Sequence, residues 1–278
     1  MYRKYRHRKA RRNSGGIVVY VRNEYKNGIT LVRKNHDTMV WFKFDKTFFN
    51  IEEDNYFVVV YLWSDNSPIV NVIDADLFIC LHSDIEHFSS KGIVIVGGDC
   101  NARTAYKPDF VLNDRYIPEL DGEDYQADCN LPRFSLDKGS NSHGNRLLDL
   151  CKAITISIVY GRLGEDHGTG KFTCYNSQGA SVSDYLLLNK SYFNVLNTFN
   201  VCDFNEYSDH APLHVSSVCN TVVNGRDERS RSEEYVKWSD EHKETYRSCL
   251  IGLLPEFNRL VMNNENDSPA CHIIYHPY

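Results

Sequence analysis

Ile93-Val94-Ile95-Val96-Gly97-Gly98-Asp99-Cys100-Asn101 is the stretch on which the reading of this chain turns. Four consecutive β-branched residues predict a strand buried on both faces, the pattern of layered α/β structures, rather than an alternating half-exposed one. Gly97-Gly98 ends the apolar run, and polar residues follow at the strand end, where α/β sheets place their ligand sites. Along an extended segment Asp99 and Asn101 project to one side and Cys100 to the other. A carboxylate beside an amide suits a general base next to a neutral donor, which can hold a phosphate oxygen without competing for protons. Asp and Asn after a Gly pair also serve simply to shape a turn.

Upstream, Ile17–Val21, Ile29–Val32, Met39–Phe44 and Tyr56–Leu62 are strand-length apolar runs bounded by turn residues such as Lys26-Asn27-Gly28. IVVYV and YFVVVYLW are almost wholly apolar, so both are expected to be buried on two sides. Between them and Ile93, Asp74 to Ser90 sets Leu77, Phe78, Leu81, Ile85 and Phe88 on one helical face. Downstream, residues 104–143 are rich in Pro, Asp, Asn and Gly and predict long loops carrying a functional surface. A second helix, Gly144 to Ala153, leads to a strand at Ile154–Val159. Further strands are expected at Lys171–Tyr175, Asp184–Leu188, Val195–Asp203 and Leu213–Val218. Asn224–Glu234 is a charged linker, and Ser239–Met262 reads as helix interrupted at Pro255. The expected fold is therefore α/β, a two-sheet sandwich flanked by helices over residues 14–218, preceded by a basic tail at 1–13 and followed by a linker and helical spacer at 219–278.

Composition narrows the class. With 42% hydrophobic and 24% charged residues among 278, the chain is not a disordered, collagenous or coiled-coil sequence. The longest apolar run, Tyr56 to Trp63, falls well below the ~20 residues of a membrane span. Met1–Arg12 has no apolar segment of the secretory type, so a nuclear or cytoplasmic, non-secreted protein is expected, without a membrane partner. The net charge of −6 conceals an asymmetry: residues 1–12 hold seven Lys or Arg and no acid, which leaves about −13 on the rest. That basic run reads either as a phosphate-binding or nuclear-localisation arm or as a solvated end. The acidic remainder argues against broad electrostatic coating of DNA but suits carboxylates that hold a cation. The nine cysteines are never closer than 17 positions apart, which excludes C-x-x-C zinc and redox pairs and predicts reduced, mostly buried thiols.

Two further motifs stand at strand ends. Ser181-Val182-Ser183-Asp184-Tyr185 runs into an apolar LLL, and Ser208-Asp209-His210-Ala211-Pro212-Leu213 opens the last strand. Neighbours on one strand face apart, so His210 needs a carboxylate other than Asp209 to orient it. Asp184 is the natural orienter, which frees Asp209 to bind metal. A structurally satisfied histidine is the competing reading.

In this order and spacing the three motifs resemble those of the endonuclease/exonuclease/phosphatase superfamily: G-D-x-N, a strand with S-x-x-D-Y, and a terminal S-D-H-x-P. Within it, Ala10–Ile17, Asn35-His36-Asp37-Thr38-Met39-Val40-Trp41, Gly98–Thr104, Asn145–Cys151 and Gly170-Lys171-Phe172-Thr173 resemble the apurinic-type endonuclease domain of animal LINE-class (non-LTR) retrotransposon proteins. The resemblance spans about residues 10–218 and implies a DNase I-like fold that nicks DNA by magnesium-dependent phosphodiester hydrolysis, with Mn2+ as the alternative ion.

Carried over residue by residue, the resemblance makes Asp99 the residue that activates or positions water, and Asn101 and Tyr61 phosphate contacts. His210, held by Asp184, would stabilise charge on the phosphoryl oxygens, and Asp209 would bind the cation. Tyr61 reads equally as a cross-strand packing aromatic. The family's upstream strand ending in a metal-binding Glu has no counterpart here, since Glu24, Glu52 and Glu53 lie in unrelated contexts; the domain is therefore expected to be incomplete at its N-terminus. Cys100 replaces a usual aromatic, and Leu62-Trp63-Ser64 a usual proline-bearing turn. Two alternatives remain open: a catalytically inactive remnant or binding module of the same fold, and a phosphatase of the same superfamily. Oligomeric state is not legible.

Overall fold

The computed structural model describes residues 2–5, 16–35, 38–64, 67, 75–112, 131–217 and 219. The expected linker at 224–234, the helix at 239–262, most of the basic run and the centre of the 104–143 loop lie outside them. The strands are β1 (Tyr2–Tyr5), β2 (Gly16–Val19), β3 (Ile29–Asn35), β4 (Met39–Phe44), β5 (Asn55–Tyr61), β6 (Ile93–Asp99), β7 (Ile156–Ile158), β8 (Cys174–Asn176), β9 (Gly179–Ser181), β10 (Asp184–Asn189), β11 (Leu196–Val201) and β12 (Leu213–Ser217). The helices are α1 (Lys46–Phe49), α2 (Leu77–Ser89) and α3 (Ser142–Ala153).

A mixed six-stranded sheet in the order β3-β4-β5-β6-β10-β7 is the frame, with the ladders β1-β2, β8-β9 and β11-β12 beside it. Only β5 and β6 are parallel, and α2 makes the crossover between them, as a parallel pair requires. Burial of every residue from Ile93 to Gly97 confirms the two-sided strand expected from IVIV. The main core joins Trp41, Val58 and Val60 of the sheet to Leu81 and Ile85 of α2 and Leu147 of α3. The layer away from the helices is carried by short ladders rather than one wide sheet. β2 covers Val40, Phe42 and Val59 with Ile17 and Val19 alone, so its burial alternates. The two-sided burial expected of IVVYV fails for that reason: β2 pairs with β1 and presents one face to the sheet.

The helices begin where polar side chains cap them. Asp76 accepts from the amides of Phe78 (3.0 Å) and Ile79 (3.2 Å), so α2 starts at Leu77. Asn141 accepts from Gly144 N at 2.7 Å, which starts α3 two residues before the expected Gly144. The described parts of the 104–143 loop hold no helix or strand before Ser142; polar clamps fix them instead. Arg162 donates twice to Asp109, at 2.6 Å each, with both side chains fully buried. Arg103 grips Asp137 at 2.9 and 2.6 Å. Removing one partner of such a clamp strands a buried charge, which costs far more than the pair contributes. An apolar groove of about 310 Å³ separates Phe57, Val59, Gly97 and Leu186 of the sheet from Leu213 and Val215 of β12.

Candidate active site

The groove ends at the C-terminal edges of β5 and β6, where the three motifs meet. In the ladders Asp99 is the register partner of Tyr61 on β5 and of Asp184 on β10. Register partners share a face, so Tyr61, Asp99 and Asp184 line one side of the sheet. Gly98 allows the close approach there: it sits at φ +133°, and a Cβ would fall 2.2 Å from the carbonyl oxygen of Val60.

Asn101 is not extended, as simple alternation would have it. Its φ is +47°, a left-handed turn that Asn tolerates better than most residues. The turn folds the segment back so that Asn101 N lies 2.8 Å from Asp99 Oδ1 and its side-chain amide 3.0 Å from Oδ2. The same amide donates to Leu62 O at 2.8 Å, tying the end of β5 to the end of β6. Cys100, in between, turns into the core, where burial pushes its thiol well above the usual range. The next residues are held by α3's cap: Asn141 accepts from Arg103 N at 2.8 Å and donates to Asn101 O at 2.9 Å. Asn141 and Asp137 lie in the loop read as irregular; an Asn just ahead of a helical pattern is a capping signal that could have found Asn141, whereas Asp137 leaves no such trace.

Asp184 is set by its neighbours. Thr173 Oγ1 accepts from the amides of both Ser183 (3.0 Å) and Asp184 (3.1 Å). Asp184 Oδ2 accepts from Ser183 Oγ at 3.0 Å and meets Nδ1 of His210 at 2.8 Å. Its Oδ1 is buried with no hydrogen-bond partner among the described residues. His210 is pinned from the other side, since Ala211 N donates to Thr173 O at 2.8 Å and Cys174 bridges His210 across the backbone. The chain bends at Asp209 instead of running extended, which leaves that carboxylate exposed beside His210 and Cys174 rather than facing away.

Electrostatics sharpen the picture. Burial, then the neighbouring Asp184 charge, pushes the Asp99 carboxyl up to about 8. Burial pulls His210 down, but its bond to Asp184, its contact with Cys174 and the charges of Asp184 and Asp99 outweigh that and carry it up to about 11. At neutral pH the cluster therefore holds a cationic imidazole beside a carboxylate, with an adjacent carboxyl poised near the working pH. Tyr61 shares the sheet end but packs its ring against the β2 cluster, and its amide donates to Thr38 O at 2.8 Å.

Tyr175 and Phe204 form an exposed aromatic rim beside Asp209, and Tyr207 is exposed in the same loop as Phe204. The rings of Tyr175 and Phe204 meet edge-on at 6.3 Å, and Tyr175 N donates to Asp209 O at 2.7 Å. These aromatics and Cys174 were not singled out from the sequence, and Thr173 entered it only as part of the Gly170-Lys171-Phe172-Thr173 match, with no site role.

No protein-family model matches the chain, and no curated protein does. Solved structures resemble its fold. The endonuclease domain of TRAS1, a telomere-specific non-LTR retrotransposon, is 12% identical, with a TM-score of 0.43 and 68% of each chain covered. The 3'-5' exonuclease NExo from Neisseria meningitidis is 13% identical, with a TM-score of 0.42 over 68% of this chain and 70% of that one. The APE2 catalytic domain of Xenopus laevis is 18% identical, with a TM-score of 0.43 over 66% of this chain and 56% of that one. The likeness is one of fold; residue roles rest on this chain's own geometry.

Proposed function

We propose that the chain is a divalent-cation-dependent phosphodiester hydrolase that nicks DNA, of retrotransposon endonuclease descent. The observation that carries this reading is the convergence of Asp99, Asn101, Asp184 and His210 at one sheet end from three separate motifs, with His210 held by Asp184 at 2.8 Å. The imidazolium supplies a positive donor for charge developing on phosphoryl oxygens. Asp99 has a carboxyl poised to take or orient the proton of an attacking water. Asn101 contributes an N–H now spent on Asp99 Oδ2, which a phosphate oxygen can replace as acceptor.

The residues fit a hard cation. The partnerless Oδ1 of Asp184 and the carboxyl of Asp99, which burial keeps protonated up to about 8, both gain from positive charge nearby. Asp99 and Asp184, register partners at the sheet end, would offer oxygens to Mg2+ or Mn2+, and Asp209 is the further carboxylate that the resemblance assigns to the ion. When bound, such an ion offsets the negative charge that builds on phosphate. The aromatic rim at Tyr175 and Phe204 supports a nucleic-acid substrate, because bases stack on such faces without regard to sequence. A nuclear or cytoplasmic address accords with this substrate.

A second reading, a non-catalytic remnant or binding module of the same fold, is favoured by one observation. The group of three potential ligand atoms among the described residues is Cys174, Asp209 and His210, without the glutamate that the resemblance calls for. Nicking of supercoiled plasmid separates the two. The enzyme reading expects magnesium-dependent conversion to open circles that EDTA and His210→Ala abolish. Tight DNA binding with no conversion at any magnesium or manganese concentration establishes the second.

A further inference from the structure

We infer that Cys174, Asp209 and His210 form a binding site for a thiophilic divalent cation of the zinc class, distinct in chemistry from the oxygen-held cation considered above. One ligand atom from each lies within 4.8 Å of the other two. Bond lengths of about 2.0–2.3 Å put tetrahedral zinc ligands roughly 3.3–3.8 Å apart, so closure by at most about 1–1.5 Å completes the set. The backbone holds the three side chains together: Cys174 and His210 pair across a bridge, Tyr175 N donates to Asp209 O at 2.7 Å, and Ala211 N donates to Thr173 O at 2.8 Å.

An independent observation points the same way. Nδ1 of His210 is engaged by Asp184 Oδ2 at 2.8 Å, which leaves Nε2 as the ligand nitrogen. A histidine whose second nitrogen is held by a carboxylate is the usual support of a metal-bound imidazole. Asn176 Nδ2 lies 3.8 Å from Cys174 Sγ and can donate to a thiolate there. The thiolate decides the metal class: sulfur, imidazole and one carboxylate select zinc-like ions, whereas magnesium takes oxygens. Cys174 is buried, His210 half-buried and Asp209 exposed, so the site opens to solvent on one side, with three protein ligands and a fourth position for water or an anion. On binding, the Cys174 thiol and Nε2 of the His210 imidazolium each give a proton to water as the metal–sulfur and metal–nitrogen bonds form, while Nδ1 keeps its contact with Asp184. If the hydrolase reading holds, an ion here occupies the imidazole nitrogen offered to phosphate and inhibits nicking; the binding itself does not depend on that reading.

Cobalt(II) is the probe, titrated into the full chain. The expected result is one ion per chain, with a near-ultraviolet thiolate-to-metal charge-transfer band and intense visible bands of a tetrahedral ion. Zinc displaces them and excess magnesium does not. Cys174→Ser removes the charge-transfer band. Asp209→Ala, at an exposed side chain, keeps the band and weakens affinity by about 10-fold or more. No band in the wild-type chain, a band that survives Cys174→Ser, or displacement by magnesium overturns the proposal. Should Cys174→Ser fail to fold by circular dichroism, saturating zinc must slow alkylation of Cys174 in the wild-type chain, read by peptide mass spectrometry; unchanged alkylation overturns it equally.

Discussion

Nδ1 of His210 lies 2.8 Å from Oδ2 of Asp184, a contact between residues 26 positions apart that joins the loop before β12 to the first residue of β10. Each half is positioned separately, Asp184 through the hydroxyl of Thr173 and His210 through the backbone at 173–174. Thr173 is thus the common support of the pair.

If the pair acts as a unit, its losses will not add. His210→Ala and Asp184→Asn should each lower plasmid nicking by roughly 10²–10⁴-fold, and the double variant should be no slower than the worse single one. Single-turnover rates at saturating DNA give the answer; a double variant slower by the product of the two shows independent roles.

Stability should fall as pH rises through neutrality. The Asp99 carboxyl has an ordinary value of 3.8 and stands at about 8 in the fold, so below about pH 4 it is neutral in both states. Between those values the unfolded chain ionises while the folded chain keeps its proton, and the contribution is lost as pH passes 8. His210, raised from 6.5 to about 11, contributes fully below 6.5 and loses its contribution towards 11, in the same direction. Asp99→Asn should flatten the decline between pH 5 and 8.5 and gain on the order of a few kcal/mol relative to wild type at the upper end. Magnesium at pH 8.5 should raise the melting temperature of wild type and leave Asp99→Asn unchanged. Thermal melts with and without EDTA test both statements.

The left-handed backbone at Asn101 separates its two contributions. Asn101→Gly keeps the φ of +47° without strain and loses only side-chain bonds, while Asn101→Ala loses the bonds and adds about 1 kcal/mol of strain. Both should lose nicking activity, with the alanine variant melting lower; equal melting temperatures would show that the turn is not constraining.

The aromatic rim should act on binding rather than chemistry. Tyr175→Ala and Phe204→Ala are each expected to weaken single-stranded DNA binding by about 1–3 kcal/mol, with the single-turnover rate at saturating DNA unchanged. Fluorescence anisotropy and rapid-quench assays measure the two effects separately.

Much of this arrangement was legible because apolar runs are long-range statements about burial. Met39–Phe44 and the strand after Ser183 needed only their β-branched and aliphatic content, and α2 its face of Leu81, Ile85 and Phe88. The Asp184–His210 contact followed from the rule that strand neighbours face apart, although the bend at Asp209 makes that rule locally untrue. What stayed hidden depends on polar geometry with no period. The single turn of α1, fixed by Asp45 accepting from two amides, is too short to leave a pattern. The strand expected at Lys171–Tyr175 is only the start of β8 at Cys174–Asn176, and its partner β9, three residues long and without a buried residue, left no pattern. The Asn101 turn, the double acceptor role of Thr173 and the meeting of Cys174 with Asp209 all arise from tertiary contacts.

The strand order carries a consequence for how the molecule assembles. β10 lies between β6 and β7, yet the chain makes it after both. During synthesis, then, β7 has no strand to join until residues 184–189 emerge, and Asp99 waits at an open sheet edge. The strand that closes this gap is the one that delivers Asp184. Completion of the sheet therefore comes before completion of the site, which waits for Asp209 and His210 further along the chain, so the charged cluster is assembled only on a finished sheet.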